Sequence, residues 1–302
     1  TVAIAITAAT GSTVAVYANG VLLGNATEDG STGNFALTTA ALVDGNYSVT
    51  ATAADAVGNV SAAAAAQSVR VDTLAPVAPT ITSGAITNDT TPAITGTAEV
   101  GSTVKVYDGS TLIGTVVATD GTWSVTPTTA LTEGSRAITA TATDAAGNEG
   151  PAVAQTLVVD ATAPTVVITD NQGGTATGEI LYTFTFSEAV SGLSADDITV
   201  SGGTKGQLSQ ISDSVYQLSV MPSANSQGDV TVDVVGAVVV DAAGNANTAA
   251  TQSVQAFDRQ APEAPTVAAI SGPTNDNTVA IAITAATGST VAVYANGVLL
   301  GN

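Results

Sequence analysis

The chain has 302 residues and carries 25 Asp and Glu against 5 Lys and Arg, so its formal net charge at pH 7 is −20. A surface this acidic repels phosphate backbones and anionic lipid headgroups, and we therefore expect no nucleic-acid or membrane-surface binding. His and Cys are both absent, which removes disulfides, zinc clusters and imidazole or thiolate catalysis. The composition does not favour an enzyme.

The balance of residue types is typical of a secreted protein. Charged residues make up only 10% of the chain and aromatic residues 4%, so the acidic side chains stand among neutral Thr, Ser, Gly and Asn, with Ala and Val supplying most of the apolar residues. No apolar run reaches the roughly 18 residues of a transmembrane helix, and the first residues lack the basic start of a signal peptide. We expect an extracellular, cell-surface location without membrane insertion, and an internal piece of a longer protein.

Alternating apolar and Thr residues, punctuated by turn dipeptides, run through the whole chain. In chain order, the predicted turns are Asn19-Gly20, Asp44-Gly45, Asp108-Gly109 and Asp120-Gly121. Residues 61–67 have high helix propensity, but the equivalent stretch further on contains Gly150 and Pro151, which predicts loop and strand. Later runs place two sets of side chains on buried faces: Ile138, Ala140 and Ala142, and then Tyr182, Phe184 and Phe186. This period of two predicts an all-β fold of antiparallel hairpins, a β-sandwich.

Internal repeats divide the chain into modules. Residues 1–25 recur letter for letter at 278–302. Two motifs subdivide this long repeat: Asp-x-x-Ala-Pro at Asp72, Asp160 and Asp258, and Asp-x-x-Gly-Asn at Asp55, Asp144 and Asp241. The predicted modules are 1–72, which lacks its first strand, the complete modules 73–160 and 161–258, and 259–302, the beginning of a module that repeats 1–25.

The two motifs are expected to meet where one module joins the next. In an antiparallel sandwich the turn before the last strand returns to the pole at which the chain came in, and the loop after the second strand shares that pole. The carboxylates expected together are Asp72, Glu99 and Asp144 at the first junction, and Asp160, Glu188 and Asp241 at the second. Close carboxylates repel by about 1–4 kcal/mol per pair. Ca²⁺ suits such a group best, because it accepts about 6–8 oxygen ligands in flexible geometry.

Further ligands could come from the opposite pole of the preceding module. The loop after its first strand could add Asp89 to the second junction and Asp170 to the third, which lies at Asp258. An Asp-x-x-Gly-Asn loop is also a common side-chain-capped turn, so one copy alone is compatible with a purely structural role. Its recurrence beside Asp-x-x-Ala-Pro favours the metal-binding interpretation.

The short strands, the Asp-x-x-Ala-Pro junctions and the Asp-x-x-Gly-Asn loops together resemble the bacterial immunoglobulin-like modules of giant RTX- and Bap-type surface adhesins. The resemblance covers the entire chain. Residues 1–72 and 73–160 share one subtype, and 161–258, with Phe186-Ser187-Glu188-Ala189-Val190, is similar to a second. It implies tandem immunoglobulin-like β-sandwich modules in a linear rod, with neighbouring modules of the same chain as partners, stiffened by Ca²⁺ in the extender region of a secreted adhesin.

Two functions from different classes remain open at this point. The first is a structural spacer that projects an adhesive region for cell adhesion or biofilm formation. The alternative is an adhesive module that itself recognises a glycan or a partner protein. Catalysis is not expected: Asp196 and Asp197 are neighbours on a predicted strand and point to opposite faces. Trp123, the single Trp, is predicted to lie in the core and not to bind sugar.

Overall fold

A computed structural model describes residues 1–270, 272–273, 275 and 277–302, and nearly all of its regular structure is β-strand. The chain forms two compact units, Thr1–Val159 and Asp160–Asn302. Within the described residues, no helix is both long enough and apolar enough to cross a membrane. The predicted all-β fold class is confirmed, whereas the boundaries of the four modules stay a prediction.

The N-terminal part of the first unit is one six-stranded sheet in the order β1-β4-β3-β2-β5-β6. Its strands are β1 (Ala3–Thr7), β2 (Thr13–Ala18), β3 (Val21–Glu28), β4 (Asn34–Thr38), β5 (Gly45–Ala54) and β6 (Gln67–Val71). Asn19 and Gly20 have φ values of 48° and 81°, the left-handed values that a two-residue type I′ hairpin turn requires. The core here is small and centres on Val14, Phe35 and Ala51.

The rest of the first unit is a sandwich of a five-stranded sheet, β10-β9-β12-β13-β7, and the pair β11-β8. These strands are β7 (Ile86–Thr87), β8 (Ile94–Thr97), β9 (Thr103–Asp108), β10 (Thr111–Val117), β11 (Thr122–Val125), β12 (Gly134–Thr143) and β13 (Val153–Val159). Val104, Val106 and Ile138 are almost wholly buried between the sheets, and Trp123 is only 4% exposed. Trp123 is therefore a core residue, as predicted.

The second unit contains the larger core. Its sandwich packs the sheet β14-β15-β18-β17 on the sheet β16-β19-β20. The elements are β14 (Val166–Asp170), β15 (Ile180–Phe186), a 3₁₀ turn (Ala195–Asp197), β16 (Ile198–Ser201), β17 (Gly203–Ser212), β18 (Val215–Pro222), β19 (Gln227–Val234) and β20 (Ser253–Asp258). Aromatic side chains fill much of this core, and the rings of Phe186 and Tyr216 meet edge to face with their centroids 6.0 Å apart.

The last part of the second unit contains four short strands. They are β21 (Thr266–Val267), β22 (Ile283–Thr284), β23 (Val293–Ala295) and β24 (Val298–Gly301). Strand β21 pairs antiparallel with β22, so that Thr266 faces Thr284. Since residues 278–302 repeat 1–25, Thr284 is the copy of Thr7, and β21 occupies the place of the strand that precedes this sequence in its module.

Most of the predicted alternation is confirmed, with two corrections. The side chains of Ile138, Ala140 and Ala142 are buried as expected, as are Tyr182, Phe184 and Phe186. Residues 61–66 form no helix, and β6 starts at Gln67.

The predicted antiparallel pairing was wrong for β7, which runs parallel to β13. Asp196 and Asp197 lie in a 3₁₀ turn and not on a strand, because the Asp197 carboxylate accepts hydrogen bonds from the Ser194 N–H and hydroxyl.

Candidate metal centre

In both sandwiches the Asp-x-x-Gly-Asn loop lies against the linker that leads into the module. In the second unit the Asn245 side-chain amide donates a hydrogen bond of 2.7 Å to the carbonyl oxygen of Asp160. In the first unit Asn148 donates in the same way to the carbonyl of Asp72, at 3.0 Å. The bonded residues of loop and linker are 85 and 76 positions apart in sequence, so the fold, and not closeness along the chain, brings them to one pole.

The loop around Asp241 holds its carboxylate in one orientation. Oδ1 accepts the backbone N–H groups of Ala243, Gly244 and Asn245 at 2.8, 2.7 and 2.9 Å, and Oδ2 accepts the Asn245 side-chain amide at 2.8 Å. Gly244 provides the left-handed turn, with a φ of 95°. Burial by itself would raise the pKa of Asp241, but these hydrogen bonds outweigh it and the pKa lies below its ordinary value. Asp241 is therefore a buried carboxylate that stays charged at neutral pH.

Glu188 joins this group from the loop after β15. The N–H of the preceding residue, Ser187, donates to the Thr165 carbonyl at 2.9 Å, which fixes the start of this loop to the linker. Burial raises the pKa of Glu188, and the negative charges of Asp160 and Asp241 raise it further. Asp160, Glu188 and Asp241 each offer a carboxylate oxygen, and all three oxygens lie within 4.8 Å of one another.

The donor set of this group suits a hard divalent cation. Two oxygens on opposite sides of one Ca²⁺ stand about 4.6–5.2 Å apart, because each bond is about 2.3–2.6 Å long, and the observed spacing falls within that reach. The group contains only oxygen donors, whereas zinc sites favour nitrogen or sulfur. Asp160, Glu188 and Asp241 could thus hold Ca²⁺, with the loop hydrogen bonds orienting one ligand in advance.

The three carboxylates predicted at the first junction line one cleft, but their oxygens are not as close to one another as those at the second junction. Asp72, Glu99 and Asp144 line a cleft of about 330 Å³. Among the residues that the structure describes, the group at Asp160 is the one whose three oxygens all fall within 4.8 Å. In the first cleft Glu99 is exposed, and the Arg70 guanidinium reaches Oδ2 of Asp72 at 2.8 Å. The two junctions therefore differ in local charge and in burial.

The three remaining predicted ligands each form a turn of their own. The Oδ1 atoms of Asp89, Asp170 and Asp258 accept the N–H groups of Thr91, Gln172 and Gln260 at 2.8, 2.8 and 2.9 Å. Within the described part of the chain, none of these three belongs to a group of three acidic side chains as close as that at Asp160. Their participation in metal binding stays a prediction.

Two kinds of residue at the junctions were not predicted from the sequence. Asn148 and Asn245 were noted only as the last letter of a motif, yet their side chains tie loop to linker. Their recurrence next to a recurring Asp-x-x-Ala-Pro was the available signal. Arg70 was not predicted because its contact with Asp72 depends on the direction of one side chain at the end of a strand. A single sequence does not contain that information.

Two β-sandwiches of short strands follow the six-stranded sheet, and such sandwiches are the architecture of immunoglobulin-like domains. The bacterial Ig-like domain family matches residues 1–73 and 80–161, and a second family with the same description matches residues 160–257. The chain belongs to the bacterial Ig-like domain family. A search of curated proteins by sequence gives no significant match.

Several solved structures are similar to parts of the chain. A tetra-tandem repeat in the extending region of a large adhesion protein is 22% identical, covers 86% of this chain and 71% of its own, and has a TM-score of 0.32. Fibronectin(III)-like modules of Clostridium thermocellum CbhA are 19% identical over 52% of this chain and 85% of theirs, with a TM-score of 0.36. The D00-D0 domain of intimin is 16% identical over 57% and 94%, with a TM-score of 0.27.

Proposed function

We propose that this chain is a structural spacer, part of the extender of a secreted bacterial surface adhesin, in which Ca²⁺ stiffens the junctions between modules. Membership of the bacterial Ig-like family in tandem supports a role in spanning distance. The letter-for-letter repetition of residues 1–25 supports it too, since each further copy adds length. In this role the array carries an adhesive region outward for cell adhesion or biofilm formation.

The observation that carries the calcium part of the proposal is the group of Asp160, Glu188 and Asp241. Asp160 belongs to the linker and the other two residues to loops of the following module, so an ion held by all three ties linker and module together. Without a cation the mutual repulsion of these carboxylates opposes that closeness, and a net charge of −20 offers little relief. Extracellular calcium sites of this kind bind at about 10⁻⁴–10⁻³ M, the range of calcium-rich surroundings.

In this proposal the residues at the second junction have different roles in holding the ion. Asp241 is oriented by its own loop, Glu188 supplies a carboxylate whose charge the ion neutralises, and Asn245 keeps the linker carbonyl next to the site. Ca²⁺ would supply a divalent positive charge and would coordinate oxygen ligands from the linker and from both loops. The expected mechanical result is a linker that no longer pivots freely on the module.

Calcium dependence of the whole chain tests this function. Small-angle scattering and thermal unfolding are measured in excess EDTA, in millimolar CaCl₂, and in NaCl of matched ionic strength. We expect CaCl₂ to raise the melting temperature and to increase the maximum dimension by clearly more than NaCl of matched ionic strength does through screening. Glu188→Gln should weaken both responses, whereas Glu179→Gln, which removes the same charge from the same unit outside the carboxylate group, should keep them.

Identical curves in EDTA and CaCl₂ would contradict the calcium mechanism. Saturable binding of a glycan or a protein by a complete module, in a glycan array or a cell overlay, would instead favour the adhesive alternative.

A further inference from the structure

The first junction contains a basic side chain at its carboxylates. Arg70, near the end of β6, donates from Nη2 to Oδ2 of Asp72 at 2.8 Å, and the other oxygen of Asp72 accepts the N–H of Leu74 at 3.2 Å. Arg70 lines the same cleft as Glu99 and Asp144. Its positive charge therefore lies in the cleft that the three carboxylates predicted to share a metal also line.

At the second junction, the sequence position equivalent to Arg70 holds an uncharged residue. The residue two positions before the linker Asp is Arg70 at Asp72, but it is Val158 at Asp160. The chain has five basic residues, and three of them bond to groups outside these two carboxylate groups. Arg136 donates to Asp108, Lys205 to the Ala195 carbonyl, and Arg259 to the Pro222 carbonyl. Arg70 is the basic residue that lines the first cleft.

We propose that Arg70 is a built-in counter-ion, so that the junction at Asp72 binds Ca²⁺ much more weakly than the junction at Asp160. The inference rests on the proposed calcium function and deepens it by assigning the dependence to one junction. The guanidinium reduces the net charge of the first carboxylate group from −3 to −2 and occupies an oxygen that a metal would use. Glu99 is also exposed, whereas every member of the second group is at least partly buried.

Arg70 competes only moderately with Ca²⁺ for the Asp72 carboxylate. The Arg70 side chain is 75% exposed, so solvent screens its attraction to Asp72 and a cation can displace it at a moderate cost. We therefore expect a difference in calcium affinity on the order of tenfold between the two junctions, not a complete loss at the first. In an array, calcium concentrations that half-fill the site at Asp160 would therefore leave most of the sites at Asp72 without metal.

The test is a CaCl₂ titration of the whole chain followed by ¹H–¹⁵N nuclear magnetic resonance, which reads each junction separately. Amides of Gly101 and Ser102 report on the first cleft, and those of Gly244 and Asn245 on the second. Arg70→Val installs the residue found at position 158 and, on an exposed side chain, leaves the fold intact. It should tighten calcium binding at the first cleft about tenfold and leave the second unchanged.

Lys105→Gln is the matched control, because it removes one positive charge from the module that contains Glu99 and Asp144 without touching the cleft. It should change the first calcium affinity by less than about twofold, since Lys105 does not line the cleft and solvent and salt screen its charge there. Equal affinities at both junctions of the parent chain, or an Arg70→Val titration identical to the parent at Gly101 and Ser102, would overturn the proposal. If neither pair of amides responds to millimolar calcium, the calcium function itself fails, and the Arg70 inference fails with it.

Discussion

Three carboxylates in the second unit lie close enough together to bind one ion, and the pKa values of two of them are shifted in opposite directions. The pKa of Asp241 lies below its ordinary value because hydrogen bonds from its loop outweigh the effect of burial. The pKa of Glu188 lies above its ordinary value because burial and then the charges of Asp160 and Asp241 oppose ionisation. In the absence of a cation, Glu188 is therefore the member of the group whose charge destabilises the fold.

Glu188→Gln should consequently have opposite effects with and without calcium. A carboxyl whose pKa is raised on folding favours the folded state below its unfolded-state pKa, and this contribution is lost as pH rises through the folded-state pKa. Gln imitates the protonated form, so in EDTA at neutral pH the variant should be more stable by about 0.5–1 kcal/mol. In acid the difference should vanish, and in saturating CaCl₂ the variant should become less stable because a ligand is missing.

Urea unfolding at several pH values, in EDTA and in CaCl₂, measures this crossover. Glu179→Gln serves as the control and should stay within about 0.5 kcal/mol of the parent throughout. A variant less stable than the parent in EDTA at neutral pH would show that repulsion at Glu188 is negligible.

Asn245 acts through two hydrogen bonds of its side-chain amide, to the Asp160 carbonyl and to Oδ2 of Asp241. Asn245→Ala leaves both acceptors without this donor in a half-buried place, so unfolding of the second unit should become easier by about 1–3 kcal/mol. Asn59 is the matched control, because it bonds Oδ2 of Asp55 at 2.8 Å in an exposed loop. Asn59→Ala should cost the first unit less than about 1 kcal/mol.

Native-state hydrogen exchange resolves the two units and makes this comparison within one sample. Faster exchange is expected along β19 and β20 in Asn245→Ala. Unchanged protection of those strands would mean that the tie between loop and linker adds no stability.

At the scale of the elements, close packing between strands depends on small residues at a few places. In β8, a Cβ on Gly96 would lie 1.8 Å from the Thr80 carbonyl oxygen and 2.5 Å from Cζ2 of Trp123. The Thr80 segment is held to β8 by its N–H bond to the Thr97 carbonyl at 2.8 Å, so it cannot move away freely. Gly96 thus lets the first segment of this module and the single Trp pack against the same strand.

Gly96→Ala should therefore destabilise this module by about 1–3 kcal/mol or more, as overpacked cores do. Trp123 fluorescence during urea unfolding follows this module specifically, since it is the only Trp in the chain. Gly84→Ala is the matched control, because its added Cβ would meet the nearest atom, the Ile86 carbonyl oxygen, at an ordinary 3.6 Å. Equal unfolding midpoints for the two variants would contradict the packing role of Gly96.

At the scale of the whole molecule, the dominant property is the charge of −20 on a chain with five basic residues. General repulsion of this kind disfavours the compact state and is screened by salt over about 8–10 Å at physiological ionic strength. The group at Asp160 differs from this background because its oxygens are already within 4.8 Å, well inside the screening length.

Adding NaCl to about 0.15 M in EDTA should raise the melting temperature by a few degrees, through screening alone. CaCl₂ added on top of this salt should produce a further rise that depends on Glu188. Calorimetry in the two buffers measures both steps. A calcium effect that disappears in the salt would show that the ion acts only by general screening.

The repeating pattern of the sequence determined a large part of this protein. Alternation with a period of two predicted the buried faces of β12 and β15, and the turn dipeptides predicted hairpins such as Asn19-Gly20. Such features depend on residues that are close in sequence, which is why a single chain without relatives contains them. Parallel pairing of β7 with β13 was missed, because two residues at a sheet edge leave no periodic signal.

The motifs also indicated which loops approach which linkers, because strand direction alternates in an antiparallel sandwich. Only the tertiary structure decided how close the carboxylates come. Side-chain oxygens meet within a few ångströms through the turn around Asp241, the amide of Asn245 and the local bonds of the Glu188 loop. Whether an arginine stands among them depends on one side-chain direction at position 70. Contacts over such short distances are properties of three-dimensional packing, and the order of residues along the chain does not specify them by itself.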